Sequence, residues 1–199
     1  MPNYFFTADS HYFHSNIIKS CKRPQFRASD FNQEGKWLSS EISKERAEEM
    51  NEMLIERHNS VVKPGDIVYH LGDFCFGKDA SKIFNRLNGN LHLILGNHDE
   101  KMVGSQTFPK FAWIKPYYKL RIGDCKIILC HYPFARWDCA HYGSYHLHGH
   151  CHGSYKPSQG LILDVGVDCQ GDYKPWSYED VCVYMKLRTT QSWDEKTEV

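Results

Sequence analysis

Short apolar runs recur along the chain and constrain its fold most strongly. They are rich in β-branched and aromatic residues, which is typical of strands. The predicted strands are YFFTA (4 to 8), DIVYHL (66 to 71), LHLIL (91 to 95), YYKLRI (117 to 122), KIILCH (126 to 131), LILDVGV (161 to 167) and VCVYMKL (181 to 187). A chain with this pattern must bury its short strands against one another, so one or more β-sheets are expected.

Helical segments separate the early strands. SSEISKERAEEMNEMLIERHNS predicts a surface helix, because Ala47, Met50 and Leu54 fall on one side at helical spacing. A shorter helix is expected to start after a cap at Asp79 and to end at Asn88-Gly89. Late strands separated by Gly123-Asp124 predict a hairpin. Together these elements indicate an α/β protein with a mixed sheet, or two packed sheets with helices outside.

Length and composition limit the domain organisation. The chain has 199 residues and no internal repeat, which predicts a single domain over 1–187 and a polar tail over 188–199. The irregular residues 12–40 are expected to form a rim or small cap. Equal numbers of basic and acidic residues, 24 of each, argue against a polybasic protein.

The compartment is expected to be the cytoplasm, without membrane association. No apolar run approaches the roughly 18 residues of a membrane span, and the first residues do not resemble a secretory signal. The eight cysteines show no CxxC spacing and are expected to be free thiols. The oligomeric state is left open.

Polar side chains follow five of the apolar segments directly. These motifs are Asp9-Ser10-His11, Gly72-Asp73, Gly96-Asn97-His98-Asp99, His131, and Gly149-His150-Cys151-His152. Strand ends are where α/β folds build their sites, so we expect the motifs to converge. The glycines at 72, 96 and 149 are expected to supply unusual backbone angles and space in a crowded pocket.

Seven of these groups are candidate metal ligands: Asp9, His11, Asp73, Asn97, His131, His150 and His152. Seven ligands exceed the need of one ion but suit two ions that share a bridging carboxylate. Nitrogen and hard oxygen ligands favour Mn, Fe, Zn, Co or Ni over soft-metal sites, and we expect Mn foremost.

The motif order DxH, GD, GNHD, H, GHxH resembles that of the calcineurin-like metallophosphoesterases. The resemblance spans about residues 4 to 186 and is closest to small single-domain bacterial and phage members. It implies a two-sheet β-sandwich flanked by helices, a four-layer α/β/β/α arrangement. It also implies that Asp73 bridges the two ions. The first ion would be held by Asp9, His11, Asp73 and His152, and the second by Asp73, Asn97, His131 and His150.

The expected activity is hydrolysis of P–O bonds in small phosphate mono- or diesters, nucleotides and cyclic nucleotides included. A hydroxide between the two ions would be the nucleophile. His98 lies beside a ligand without being needed as one, so it is the candidate acid for the leaving group. Asp99 would orient His98 or support its cationic form.

Substrate contacts are predicted less directly. Arg23 and Arg136 are candidate phosphate clamps because a guanidinium binds oxyanions through two hydrogen bonds. His14 lies near the DxH motif and is a third candidate. His146 and His148 are assigned to a buried strand, and Asp168 to a turn or a supporting position.

Two alternative functions are kept beside the esterase. One is a scaffold that binds metal without catalysis. The complete motif set, which includes His98, argues against it. A nuclease acting on DNA or RNA chains is disfavoured by the zero net charge and the absence of a basic stripe.

Overall fold

The computed structural model describes residues 2–77, 80–100, 103 and 108–190. Asp79, the expected helix cap, and residues 191–199 of the expected tail lie outside this part. Within it the strands are β1 (Tyr4–Thr7), β2 (Ile67–His70), β3 (Asn90–Ile94), β4 (Ile114–Lys115), β5 (Tyr117–Ile122), β6 (Cys125–Cys130), β7 (Tyr145–His148), β8 (Ile162–Asp164) and β9 (Trp176–Ser177). The helices are α1 (Ser15–Ser20), α2 (Ser40–Val61), α3 (Ala80–Phe84) and α4 (Tyr178–Met185).

The first sheet has the strand order β4-β3-β2-β1-β9. Strands β1 to β4 are parallel, and β9 is antiparallel to β1. Parallel neighbours need crossover connections, which α2 provides between β1 and β2 and α3 provides between β2 and β3. The carboxyl ends of β1, β2 and β3 therefore meet at one edge.

The second sheet has the strand order β5-β6-β7-β8. The predicted hairpin is present: Ile122 faces Cys125 across the Gly123-Asp124 turn. Strands β6, β7 and β8 are parallel, so their carboxyl ends also share one edge. A parallel bridge between Ala8 and Gly166 connects the chain after β1 to the chain after β8. This bridge brings the carboxyl edges of the two sheets together.

Two apolar cores pack the helices and the two sheets against one another. Phe6, Leu71 and Leu129 belong to the core between the sheets, whereas Phe5 and Val68 belong to a second core under α1, α2 and α3. Alternate residues of β1 and β2 thus serve different cores, as the two-residue period of a strand requires. The chain is a mixed α/β protein with two sheets.

The outer face of the second sheet is covered differently. His146 of β7 is buried there. Its ring centre lies 4.9 Å from that of Phe134, on which it stacks, and 5.4 Å from that of Trp137. Among the described residues, helices cover the outer face of the first sheet and loop side chains cover this part of the second.

The strand prediction for residues 181 to 187 is wrong, because this segment lies largely in α4. Ser177 and Asp180 cap the helix reciprocally through side chain and backbone. Val181 and Met185 are buried one turn apart, whereas Val183 is 61% exposed and Leu187 is 84% exposed. The apolar run therefore meets the core at helical spacing.

Two further expectations concern membrane association and the cysteine thiols. No helix in the described ranges is long and apolar enough to cross a membrane. All eight cysteines lie in those ranges, and none of them forms a disulfide bond there.

Candidate metal centre

The strand-end motifs come together where the carboxyl edges of the two sheets meet. Among the described residues, three groups of side chains have ligand atoms within 4.8 Å of one another. One group contains Asp9, His11 and His152, and another contains Asp9, Asp73 and His131. The third contains Cys21, His152 and Asp168. Five of the seven predicted ligands thus fall into two overlapping clusters.

Asp73 lies between two histidines. Its Oδ2 is 3.6 Å from His11 Nε2 and 3.6 Å from His131 Nε2. Its other oxygen, Oδ1, accepts a hydrogen bond from the backbone amide of His98 at 3.0 Å. Two atoms that bind one ion at about 2.0–2.2 Å lie roughly 3–4 Å apart, so both spacings suit a shared divalent ion.

Several polar atoms here are buried without a hydrogen-bond partner, namely Asp9 Oδ1 and both ring nitrogens of His11. Such atoms cost free energy unless something pairs with them. Burial lowers the pKa of His11 far below its ordinary value, so its ring is neutral and carries a lone pair. Burial also raises the pKa of Asp9 well above its ordinary value. Divalent ions fit this donor set.

The hydrogen bonds of two ligands leave an atom available for an ion. His131 Nδ1 is 2.7 Å from the carbonyl of Leu71, which accepts its proton and leaves Nε2 as the ligand atom. Asp9 Oδ2 accepts the backbone amide of His150 at 2.8 Å, which leaves Oδ1.

Asn97 and His150 lie at the solvent side of His131. Asn97 Oδ1 is 3.2 Å from His131 Nε2, and the His150 ring centre is 5.1 Å from that of His131. The His150 side chain is exposed. The structure therefore places both remaining predicted ligands beside His131.

No known protein-family model matches the chain. It is 30% identical over 189 residues to the uncharacterized protein MJ1445 of Methanocaldococcus jannaschii, covering 90% of this chain and 89% of that protein. The chain belongs to the MJ1445 family.

Two more distant proteins resemble this MJ1445-family chain. The Gene 66 protein of Mycobacterium phage L5 is 24% identical over 205 residues, covering 86% of this chain and 89% of the phage protein. The crystal structure of AQ665 from Aquifex aeolicus, titled a protein of unknown function, matches with a TM-score of 0.65. That match covers 92% of this chain and 100% of AQ665 at 21% identity, which supports the fold.

Backbone strain is concentrated at the candidate ligands of the MJ1445-family chain. Of nine described non-glycine residues with positive φ, five are Asp9 (56°), His11 (49°), Asp73 (57°), His150 (69°) and His152 (45°). Such conformations are uncommon outside glycine and cluster at functional sites. Sequence reasoning assigned this role to the glycines, yet of Gly72, Gly96 and Gly149 only Gly72 has positive φ. Gly149 provides space instead, since a Cβ there would lie 2.7 Å from Asp9 Oδ2.

Asp99 has a different environment from the one expected. Its Oδ2 accepts the backbone amides of Asp73 at 2.7 Å and Gly96 at 3.0 Å, and its Oδ1 accepts that of Phe74 at 3.0 Å. Burial raises the pKa of Asp99 to about 6, although these hydrogen bonds act to lower it. Both oxygens thus hold the loops after β2 and β3, and Asp99 orients the main chain at Asp73 rather than the His98 ring.

Arg23 is not a substrate clamp, because it is 1% exposed and its hydrogen bonds run inside the protein. Its Nε and Nη2 donate to the two oxygens of Asp168 at 2.9 and 2.8 Å. Asp168 also binds His152 through Oδ2 and Nδ1 at 2.8 Å, which agrees with the supporting position predicted for it. Burial opposes charge on His152, but the bond to Asp168 raises its pKa to about 10 in the absence of metal.

The other predicted substrate residues lie differently. His14 is beside the site, with its ring centre 5.4 Å from that of His11, and burial lowers its pKa to about 4. Arg136 is exposed on the loop between β6 and β7, and its substrate role stays a prediction. His146 and His148 lie buried in β7, as expected; His146 binds the amide of Phe134 at 3.0 Å.

Two aromatic residues were missed. Phe76 lies 4.7 Å from His98 and 3.9 Å from His14 between ring centres, and Tyr132 lies 4.8 Å from His150. Tyr132 is 43% exposed at the mouth of the site. Phe76 lies three residues after Asp73, and Tyr132 directly follows His131; this closeness to two motifs was the available signal.

Proposed function

We propose that the protein is a hydrolase of phosphate esters that works with two divalent metal ions. The observation that carries the proposal is the position of Asp73 Oδ2, 3.6 Å from His11 Nε2 on one side and 3.6 Å from His131 Nε2 on the other. A carboxylate between two neutral imidazoles suits two ions that share one ligand, and this supports the proposal.

The residues would divide between the ions as the motif resemblance implies. Asp9, His11, Asp73 and His152 would hold the first, and Asp73, Asn97, His131 and His150 the second. Two bound divalent ions would supply positive charge for a phosphate and an activated water as nucleophile. Manganese is the first metal to test, with Fe, Zn, Co and Ni next.

The charges of the chain itself suit an anionic substrate. Asp9 and Asp73 bring two negative charges against the four positive charges of two divalent ions. His11 is neutral through burial, and burial also lowers the pKa of His131. A net positive charge of about two would remain to receive a phosphate, although the chain as a whole has a formal net charge of zero.

His98 is the residue we assign to the leaving group. Its side chain is 42% exposed, and Nε2 lies 3.9 Å from Asp73 Oδ2. The Phe76 ring packs beside it. Nε2 can therefore reach a substrate at the site and donate a proton to the departing alkoxide.

The fold supports a more specific family proposal. The two sheets, with α1, α2 and α3 on the outer face of the first, support a calcineurin-like metallophosphoesterase. The helix layer that the α/β/β/α arrangement adds on the second sheet stays a prediction. The order of the five motifs along the chain supports the same family.

Turnover of chromogenic esters tests this proposal. Protein treated with a chelator is supplied with Mn²⁺ and assayed with p-nitrophenyl phosphate, bis-p-nitrophenyl phosphate and an oligonucleotide. We expect metal-dependent hydrolysis of at least one small ester. Asp73→Asn should lose both Mn²⁺ binding and activity.

Asp66→Asn is the matched control. Asp66, like Asp73, is a buried carboxylate; it accepts the backbone amides of Asn3 and Lys63 and lies before β2. This variant should keep its activity. Bound Mn²⁺ without turnover of any ester would contradict the hydrolase proposal and favour the scaffold, whereas hydrolysis of the oligonucleotide alone would favour a nuclease.

A further inference from the structure

Arg23 is a buried cation that connects two separate parts of the candidate metal centre. Besides its two bonds to Asp168, its Nη2 donates to the carbonyl of Asp9 at 2.7 Å and its Nη1 to the carbonyl of Ser10 at 2.8 Å. Nη1 also lies 3.1 Å from Met50 Sδ. These contacts occupy every nitrogen of the guanidinium.

The second step of the connection runs from Asp168 to His152. Asp168 Oδ2 accepts hydrogen bonds from Arg23 Nη2 and His152 Nδ1, each at 2.8 Å. An imidazole that donates its Nδ1 proton to a carboxylate presents Nε2 to a metal ion. The orientation of His152 therefore depends on where Asp168 is held.

We propose that Arg23 is a positioning residue for the metal centre. It fixes Asp168 so that His152 offers Nε2, and it holds the main chain that carries Asp9. This inference rests on the proposed function, because His152 and Asp9 are the ligands assigned to the first ion.

The chemistry of arginine explains why this residue type is needed. A planar guanidinium can bind both oxygens of one carboxylate and still donate to carbonyls on another side, whereas a lysine ammonium is a single point charge. A buried ion pair is weak evidence for stability, because desolvation offsets the attraction. Its contacts with both ligand segments argue for positioning.

The expected effect is selective for one ion. Loss of a residue that supports a metal-bound histidine typically weakens metal binding by about 10–100-fold. Arg23→Lys should therefore weaken one of two Mn²⁺ affinities by that factor and leave the other near its wild-type value. Asp168→Asn should weaken the same affinity.

A double-mutant cycle tests whether Arg23 acts through Asp168. The Mn²⁺ affinities of Arg23→Lys, Asp168→Asn and the double variant are measured by titration calorimetry. We expect the double variant to bind little more weakly than the weaker single variant. Losses that multiply would overturn the proposed route through Asp168.

A second readout needs no metal. In the metal-free protein, the Nδ1 proton of His152 should give a downfield proton NMR signal from its hydrogen bond with Asp168. We expect Arg23→Lys to shift or abolish that signal and Asp168→Asn to abolish it. An unchanged signal and unchanged Mn²⁺ affinities in folded Arg23→Lys would overturn the proposal.

Arg46→Lys is the matched control. Arg46 is buried and paired with Asp30 at 2.7 Å and Glu49 at 2.8 Å, and neither partner is a candidate ligand. Arg46→Lys should leave the Mn²⁺ affinities and the His152 proton signal unchanged. A loss of Mn²⁺ affinity equal to that of Arg23→Lys would overturn the positioning role.

If Arg23→Lys does not fold, Asp168→Asn tests the same link: retention of both Mn²⁺ affinities would overturn the proposal. A wild-type protein that binds no Mn²⁺ but keeps the His152 signal would contradict the proposed function alone.

Discussion

His98 approaches Asp73 with both its main chain and its side chain. The amide of His98 donates to Oδ1 of Asp73 at 3.0 Å, and its Nε2 lies 3.9 Å from Oδ2 of the same carboxylate. The residue assigned as the acid is thus held to the residue assigned as the bridge. Since the imidazole is partly exposed, it can face a substrate without filling a ligand position.

His98→Ala should keep its metal ions and lose rate. The backbone bond to Asp73 survives the substitution, so Mn²⁺ affinity should stay within about twofold of wild type, well inside the 10–100-fold losses of supporting residues. The rate should fall by about 10²–10⁴-fold for alkyl phosphate esters, which need a proton on the leaving oxygen. Nitrophenyl esters, whose leaving groups need little help, serve as the internal control. Equal losses for both classes would contradict the acid role.

Asp99→Asn should destabilise the protein rather than slow one chemical step selectively. The amide group of asparagine would place a donor against backbone amides that now donate to a carboxylate. We expect a loss of roughly 1–3 kcal/mol in the free energy of unfolding, measured with urea. Asp124→Asn, in the exposed hairpin turn, should change it by less than about 0.5 kcal/mol. Unchanged stability with a selective loss of acid catalysis would restore the His98-orienting role.

The stability of the metal-free protein should fall as the pH falls below 6.5, and His70 should contribute to that fall. Burial lowers the pKa of His70 from 6.5 to about 3, and its Nε2 lies 2.8 Å from Ser10 Oγ. Between these values the unfolded chain binds a proton that the folded chain excludes. This contribution is complete above pH 6.5 and is lost progressively towards pH 3, by up to about 1.4 kcal/mol per pH unit.

His70→Gln provides the comparison. Urea unfolding at pH 7 and pH 5.5, in the presence of a chelator, should show a smaller pH dependence in this variant than in the wild type. An identical pH dependence in the two proteins would show that His70 is not excluded from protonation in the folded state.

Substitutions in α4 separate the helix from the strand that the sequence suggested. In a strand, residues 183 and 185 would share a face. In the helix Met185 is buried and Val183 is 61% exposed. Met185→Ala should cost roughly 2–5 kcal/mol of unfolding free energy, and Val183→Ala less than about 0.5 kcal/mol. Equal costs would contradict the helical assignment.

The sequence predicted most strands because their information is local. The predicted bounds of β1, β2, β3, β5 and β6 lie within one residue of those observed, since turn residues delimit each apolar run. The apolar run VCVYMKL resembles a strand, so α4 was not predicted. The capping residues Ser177 and Asp180 were the sequence signal that favoured a helix. Convergence of the motifs followed from strand ends sharing an edge.

The supporting contacts of the site depend on distant pairings. Arg23 and Asp168 are separated by 145 positions in the chain. Nothing local distinguishes an arginine that will meet a buried carboxylate from one that will face a phosphate. Asp99 likewise looked like a partner of its neighbour His98, although its hydrogen-bond donors come from two loops. The types of the candidate ligands could be inferred from sequence, but the residues that hold them could not.

The central claim is that Asp73 bridges two divalent ions. Crystals grown with Mn²⁺ should show two anomalous difference peaks, roughly 3.5–4 Å apart, at the manganese absorption edge. One peak should lie between Asp73 and His11, and the other between Asp73 and His131. Two peaks flanking Asp73 Oδ2 are the result we predict. No peak within bonding distance of Asp73, or a single peak held by Cys21, His152 and Asp168, would contradict the claim.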